Sequence, residues 1–210
     1  MEERINKFIK KKYYKPLIVF LCLILTLEIV RDLFANEVMK KDIIGYNLIS
    51  KYLISDFTIP IAKFITNFGG VLWLILFTAI LIITLKSKLM KLCVILNLAI
   101  SAGLNQILKR LVQRPRPTQY RLIDESGYSF PSGHSMVSAA VYGFLIYLIF
   151  KKVKNRTLKW SLITILTTLI ILIGISRIYL GVHYTSDVLA GFLISISYLV
   201  IFTSIVNDYI

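Results

Sequence analysis

Six predominantly apolar stretches constrain this chain more than any other feature: residues 17–34, 67–85, 92–108, 134–150, 160–175 and 188–206. Crossing a bilayer core of about 30 Å takes roughly 20 residues of helix, and each stretch comes close to that length. The second can begin as early as Pro60. Hydrophobic residues make up 57% of the chain and charged ones 17%, too apolar for an ordinary soluble surface. At 210 residues the chain suffices for one sizeable domain. The reading is all-α: a polytopic membrane protein, 1–210 forming a single domain of six transmembrane helices.

A net charge of +14 would suit a nucleic-acid binder, but its placement argues otherwise. With the N-terminus inside, segments 1–16, 86–91 and 151–159 face the cytoplasm and hold 6, 3 and 5 of the 25 Lys and Arg. That is the positive-inside pattern, so the excess charge sits where topology requires it. Six crossings then leave both termini cytoplasmic. Nucleic acid is not expected as a partner. No A-x-A-like cleavage site follows the basic opening, so 17–34 reads as a retained anchor. Cys22 and Cys93 lie inside apolar stretches and read as small core residues. Glu28 and Arg31, three apart, suit an interfacial ion pair. The segment 35–66 mixes apolar residues with Lys51 and Asp56, as a helix lying in the interface would.

The outer segment 109–131 departs from the charge rule. It carries Lys109, Arg110, Arg114, Arg116 and Arg121 against Asp124 and Glu125. Basic residues held on the side that should be poor in them need another reason, and an anionic ligand supplies one. In "LKRLVQRPRPTQY", Lys109 falls on the last turns of a helix that Pro115 and Pro117 then stop, leaving Arg116 on a rigid extended segment. A compact ammonium and a planar guanidinium together suit a phosphoryl group, although Lys and Arg at helix ends also snorkel.

In "GYSFPSGHSM", Pro131 and Gly133 form a tight turn into the fourth span, with Ser132 as its N-cap. The unpaired N–H groups of that helix start make an anion-binding nest, and His134 projects from its first turn. A plain helix cap with a spectator histidine is the simpler reading. In "ISRIYLGVHYTSD", Arg177 closes the fifth span, while His183 and Asp187 open the sixth, four residues apart on one helix face. A carboxylate on one imidazole nitrogen fixes the tautomer and leaves the other nitrogen basic. That arrangement suits a nucleophile, and it also suits a structural pair. Parity of crossings puts all three clusters at one membrane face. Two histidines and a carboxylate could make a metal triad, but Lys109, Arg116 and Arg177 would repel a cation and welcome a trianion. No metal and no cofactor are expected.

These residues resemble the three-part signature of the type 2 phosphatidic acid phosphatase superfamily. Lys109 is followed after six residues by Arg116-Pro117; "PSGH" is 131–134; Ser176-Arg177 is followed after five residues by His183 and after three more by Asp187. The motifs cover 79 residues, 109–187, with every signature position filled. Arg114-Pro115 makes a second Arg-Pro pair without the family spacing from Lys109. The resemblance implies a metal-independent phosphatase in which His183, oriented by Asp187, attacks phosphorus to give a phosphohistidine that water hydrolyses. His134 would protonate the leaving oxygen, and Lys109, Arg116, Ser132, Gly133 and Arg177 would hold the phosphate.

Motifs at the ends of spans imply a lipid substrate drawn from the bilayer. The resemblance suggests undecaprenyl pyrophosphate or phosphatidylglycerophosphate, the first ranked slightly ahead for an outward-facing site. The Ile- and Lys-rich composition hints at an AT-rich bacterial genome, and the expected location is a bacterial plasma membrane with the site facing outward. A transporter would place ionisable residues deep within spans, and apart from Glu28 near one end they are lacking. A phosphotransferase using the same phosphohistidine stays open, and the sequence does not address oligomeric state.

Overall fold

A computed structural model describes residues 2–35, 40–119 and 121–207, with side chains throughout except at 2–12, 50 and 51. Eight helices account for almost all of the regular structure: α1 (Glu2–Phe34), α2 (Lys40–Leu53), α3 (Thr58–Asn67), α4 (Val71–Thr84), α5 (Lys88–Val112), α6 (Gly133–Lys152), α7 (Arg156–Tyr179) and α8 (Thr185–Val206). The described residues contain no strand. In hydrocarbon every backbone N–H and C=O must be satisfied within the segment, which leaves helices as the economical solution for such a sequence.

Helices α5, α6, α7 and α8 are each long and apolar enough to cross a membrane, and α3 and α4 reach that measure only when counted together as one bent pair. The expected first stretch, 17–34, lies within the 33-residue α1. Its apolar side chains are open to the surroundings, among them Leu17, Phe20 and Leu27 at 55%, 59% and 65% exposure. Exposure of that kind suits contact with acyl chains. Arg31 pairs with the adjacent Asp32 at 3.0 Å.

Polar caps set the helix starts. Ser87, Ser132 and Asn155 each accept a bond from the amide three residues on, opening α5, α6 and α7. The expected second stretch is not one rod. Asn67-Phe68-Gly69-Gly70 breaks it, and α3 and α4 meet at 51°. The segment 35–66 does contain a helix, α2, although Lys51 lies outside the described side chains.

Helix α6 sits at the centre, against α5, α7 and α8, while α1 lies along α8. Small residues permit this. A Cβ on Gly191 of α8 would come within 3.2 Å of the Met136 amide nitrogen and the Ser132 carbonyl oxygen of α6. Buried serines bond across the seam, as Ser195 Oγ does to the Met136 carbonyl at 2.6 Å. Interfaces of small and hydroxyl side chains are how helices approach closely inside a membrane.

Candidate active site

Three helix ends and the segments between them converge at one end of the bundle. Helix α5 stops where Gln113 turns left-handed (φ 51°), its amide bonding the Lys109 carbonyl at 2.9 Å. The following Arg114–Pro117 run is tied to the approach to α6 by the Ser129 amide, which donates to the Arg114 carbonyl at 2.8 Å. Between α7 and α8, Gly181 takes φ 67°, and the amides of Val182 and His183 fold back onto the Arg177 carbonyl. His183 therefore stands in this turn and not on the helix, contrary to the expected helical spacing. The physical reason is the start of α8: the Asp187 carboxylate accepts from the Tyr184 amide at 2.9 Å, so the helix begins after His183.

Even so, His183 and Asp187 meet. His183 Nδ1 lies 3.5 Å from Asp187 Oδ2 and 3.2 Å from Ser129 Oγ, and the Ser129 hydroxyl donates to the same Oδ2 at 2.5 Å. On the other side of the ring, Arg116 Nη1 lies 2.9 Å from Nε2. A guanidinium can only donate. Nε2 is thus the acceptor, and Nδ1 carries the proton toward Ser129 and Asp187. Both side chains are buried, His183 at 3% and Asp187 at 0% exposure. Burial pulls the His183 imidazole down to about 4; Arg116 and Arg177 add to that, and Asp187 opposes it. The ring is neutral at ordinary pH, with one basic nitrogen.

A cavity of about 560 Å³ joins these groups. His134, His183, Lys109, Arg116, Glu125 and Gly133 line its polar end, while Leu74, Ile75, Leu98, Ala99 and Ala102 of α4 and α5 line its apolar side. Lys109 Nζ donates to the Tyr128 carbonyl. Gly133 lets the start of α6 approach α5: a Cβ there would lie 3.0 Å from Asn105 Oδ1. Gly69 at the break lies close to α7 and to His134: a Cβ there would come 2.6 Å from Ile173 Cγ2 and 3.2 Å from the histidine Cβ.

Two predicted phosphate ligands sit differently from the others. Ser132 is fully buried; its hydroxyl accepts from the Ser135 amide at 3.4 Å and its amide donates to the Asp187 carbonyl at 3.1 Å. It builds the turn, whose first two helical amides, those of Gly133 and His134, have no carbonyl one turn back to bond. Arg177 lies behind the cavity wall. Its Nη1 donates to Thr66 Oγ1 at 2.8 Å and its Nη2 to Glu125 Oε2 at 2.5 Å, with Glu125 Oε1 3.9 Å from Arg116. Its Nε is buried without a partner among the described residues. Burial pushes the Glu125 carboxyl up, but Arg177 and Arg116 outweigh that and hold it below the usual range. A carboxylate thus stands between the two arginines, bonded to Arg177 and 3.9 Å from Arg116.

The sequence reading missed Ser129, Glu125, Arg114 and Asp42. Ser129 stands two residues before the "PSGH" turn, where its hydroxyl could have been paired with the expected His-Asp couple. Arg114 lacks the family spacing from Lys109, so the motif alone does not place it at the site. Asp42 had no local signal, since it reaches the site only through the fold.

Residues 90–210 match the PAP2 superfamily. A phosphatidylglycerophosphatase B of Bacillus subtilis is 44% identical over 90 residues, 42% of this chain and 44% of that protein. An undecaprenyl-diphosphatase of Sulfolobus acidocaldarius is 27% identical over 194 residues, 88% of this chain and 87% of the relative. The crystal structure of a PAP2-type phosphatidylglycerolphosphate phosphatase from Bacillus subtilis superposes with a TM-score of 0.82 at 28% identity. That match covers 93% of this chain and 97% of the other. With the family match spanning more than half of its length, the chain belongs to the PAP2 superfamily.

Proposed function

We propose that this chain is a membrane lipid phosphatase that releases phosphate without a metal, through a phosphohistidine on His183. The observation that carries this reading is the single cavity with a cationic, imidazole-lined end and an apolar flank. The phosphate of a lipid fits the first and its tails the second, entering sideways past α4 and α5. The PAP2 relatives that act on lipid phosphates support the same class. The proposal takes α1 as a further span, giving six in a bacterial plasma membrane, with both termini cytoplasmic and the site outward; the exposed apolar side chains of α1 support it.

In this reading the incoming phosphate takes Arg116 from His183, freeing Nε2. Nε2 attacks phosphorus in line with the leaving oxygen; the N–P bond forms as the P–O bond breaks, and His134 gives its proton to the departing oxygen. Nδ1–H is held by Ser129 and Asp187, which stabilise the cationic ring as charge develops. Water then attacks phosphorus, returning the electron pair to Nε2 and a proton to His134. Lys109, Arg116, Arg177 and the amides beside Gly133 neutralise the equatorial oxygens, and such positioning and charge stabilisation supply most of what phosphoryl transfer needs.

The lipid is proposed to be phosphatidylglycerophosphate or undecaprenyl pyrophosphate. Likeness to the Bacillus subtilis proteins favours the first, reversing the order drawn from the outward-facing site. Phosphate release by purified protein in detergent with EDTA, on each lipid, tests the reading. His183→Ala should lose at least 1,000-fold, on the scale of removing an activated nucleophile, and retention of a tenth of the rate would exclude His183. Because Nε2 must be free to attack and His134 must carry the proton it gives, kcat/KM should fall at low pH, as His183 is protonated through about 4, and fall again at higher pH as His134 loses its proton. Stability follows the sign of the acidic limb: it is full above the imidazole's ordinary pKa and declines as pH drops through about 4. Activity that needs an added acceptor, with no free phosphate, would favour a phosphotransferase.

A further inference from the structure

Behind the His183–Asp187 couple lies a second polar layer that the phosphatase reading does not use. Arg114 is 8% exposed and Asp42 3%. Arg114 Nη1 donates to Asp187 Oδ1 and to Ser186 Oγ, each at 2.7 Å, while Nη2 donates to Asp42 Oδ2 at 2.8 Å. Asp42 closes the ring from its own side: Oδ1 accepts from the Ser186 amide at 2.8 Å and Oδ2 from the Ser186 hydroxyl at 2.9 Å. The guanidinium also stacks on the Tyr184 ring, 3.8 Å from its centroid. Two carboxylates and one guanidinium leave one net negative charge, which the Ser129 hydroxyl and the Tyr184 amide solvate at Asp187.

The layer has a direction. Asp187 Oδ2 faces Ser129 and His183, while Oδ1 faces Arg114. Each oxygen has a separate duty, so the plane of the carboxylate is fixed from both sides. Asp42 comes from the first turn of α2, the amphipathic helix outside the bundle, and bonds the second residue of α8. Helix α2 is therefore more than cover. It supplies the outermost charge of a chain running Asp42, Arg114, Asp187, Ser129 and His183.

We propose that Arg114 and Asp42 are positioning residues for the Asp187–His183 couple, so that docking of α2 completes the site from outside the membrane spans. This inference rests on the phosphatase reading. The groups facing Asp187 are His183, Ser129 and the Tyr184 amide at Oδ2 and Arg114 at Oδ1, with Arg116 beyond His183 and Ser186 and Asp42 beyond Arg114. An arginine that merely filled space could be replaced by any side chain of its volume. One that orients the carboxylate needs its charge and its fork.

The test measures kcat, KM, pH profile and Tm for wild type, Asp42→Asn, Arg114→Lys, Arg114→Met and, as a packing control, Gly191→Ala, using whichever lipid wild type hydrolyses. Arg114→Met should lose at least 100-fold in kcat with KM within threefold. Its acidic limb should move to higher pH, because a proton can then settle within the couple. Arg114→Lys should recover at least tenfold of that loss, and Asp42→Asn should lose about tenfold in kcat alone. If Arg114→Met does not fold, the lysine and asparagine variants decide. Wild-type kcat in either Asp42→Asn or Arg114→Lys together with Arg114→Met overturns the proposal. So do losses confined to KM, or losses that follow Tm as in Gly191→Ala with the acidic limb unmoved. Wild type that releases no phosphate defeats the phosphatase reading, and this inference falls with it.

Discussion

Helices α5 and α6 both end at the site, yet they live in different surroundings. In the span-length window of α6, 61% of the residues are buried; in that of α5 the share is 28%. Helix α6 is built of Ser135, Ser138, Ala139, Ala140 and Gly143 and is hemmed in by three neighbours, so its first turn, with Gly133 and His134, is fixed in place. Helix α5 turns Ile95, Ile100 and Ile107 outward and lends Leu98 and Ala102 to the cavity wall. The contrast divides two tasks. On the proposed reading, His134 and the Gly133 turn stand on the closely packed helix, while the wall that would meet the tails belongs to the open one.

The largest effect should come where α5 crosses from one regime to the other, at Lys109. Lys109→Ala should cost about 2–4 kcal/mol of transition-state stabilisation, the scale of one lost oxyanion contact, and an unchanged rate would remove it from the site. Next, Gly191→Ala forces a methyl onto the α6 backbone, where Met136 and Ser132 cannot yield as a side-chain tip can. A loss of about 1–3 kcal/mol in stability is expected from such overpacking, measured as a lower Tm in detergent. Ala102→Trp, on the cavity wall, should lower kcat/KM about tenfold for a long-chain lipid and leave a short-chain soluble phosphate untouched, in line with the size of steric effects in apolar pockets. Equal effects on both would mean that tails do not run there. Gly103→Ala should be the mildest: nothing lies within 4 Å of its Cβ position, so helix propensity alone should add up to about 1 kcal/mol.

Much of this was legible in the sequence because it rests on local rules. Hydrophobic length located the helices, Pro115 and Pro117 ended α5, and Ser132 capped α6. The same locality explains what was hidden. The run 67–85 reads as one span, since nothing in its hydropathy shows that the chain bends at Gly69 and Gly70, beside His134. Expected helix geometry paired His183 with Asp187 correctly for the wrong reason: the two meet across a turn, with Ser129 between them. Asp42 was invisible, because 144 positions separate it from the Ser186 it bonds, and only the docking of α2 brings them together. Arg177 matched its motif, yet only the structure reveals that its guanidinium is bonded to Thr66 and Glu125.

The seating of Arg116 on His183 has a consequence for the resting protein. An imidazole nitrogen with its lone pair exposed is an easy catch for stray zinc or copper and for any passing acylating agent. Here a fixed cation covers that lone pair at 2.9 Å and repels other cations before they arrive. Only a species carrying enough negative charge to draw the guanidinium aside can reach the nitrogen, so the cover itself screens for the charge type of what the ring will meet.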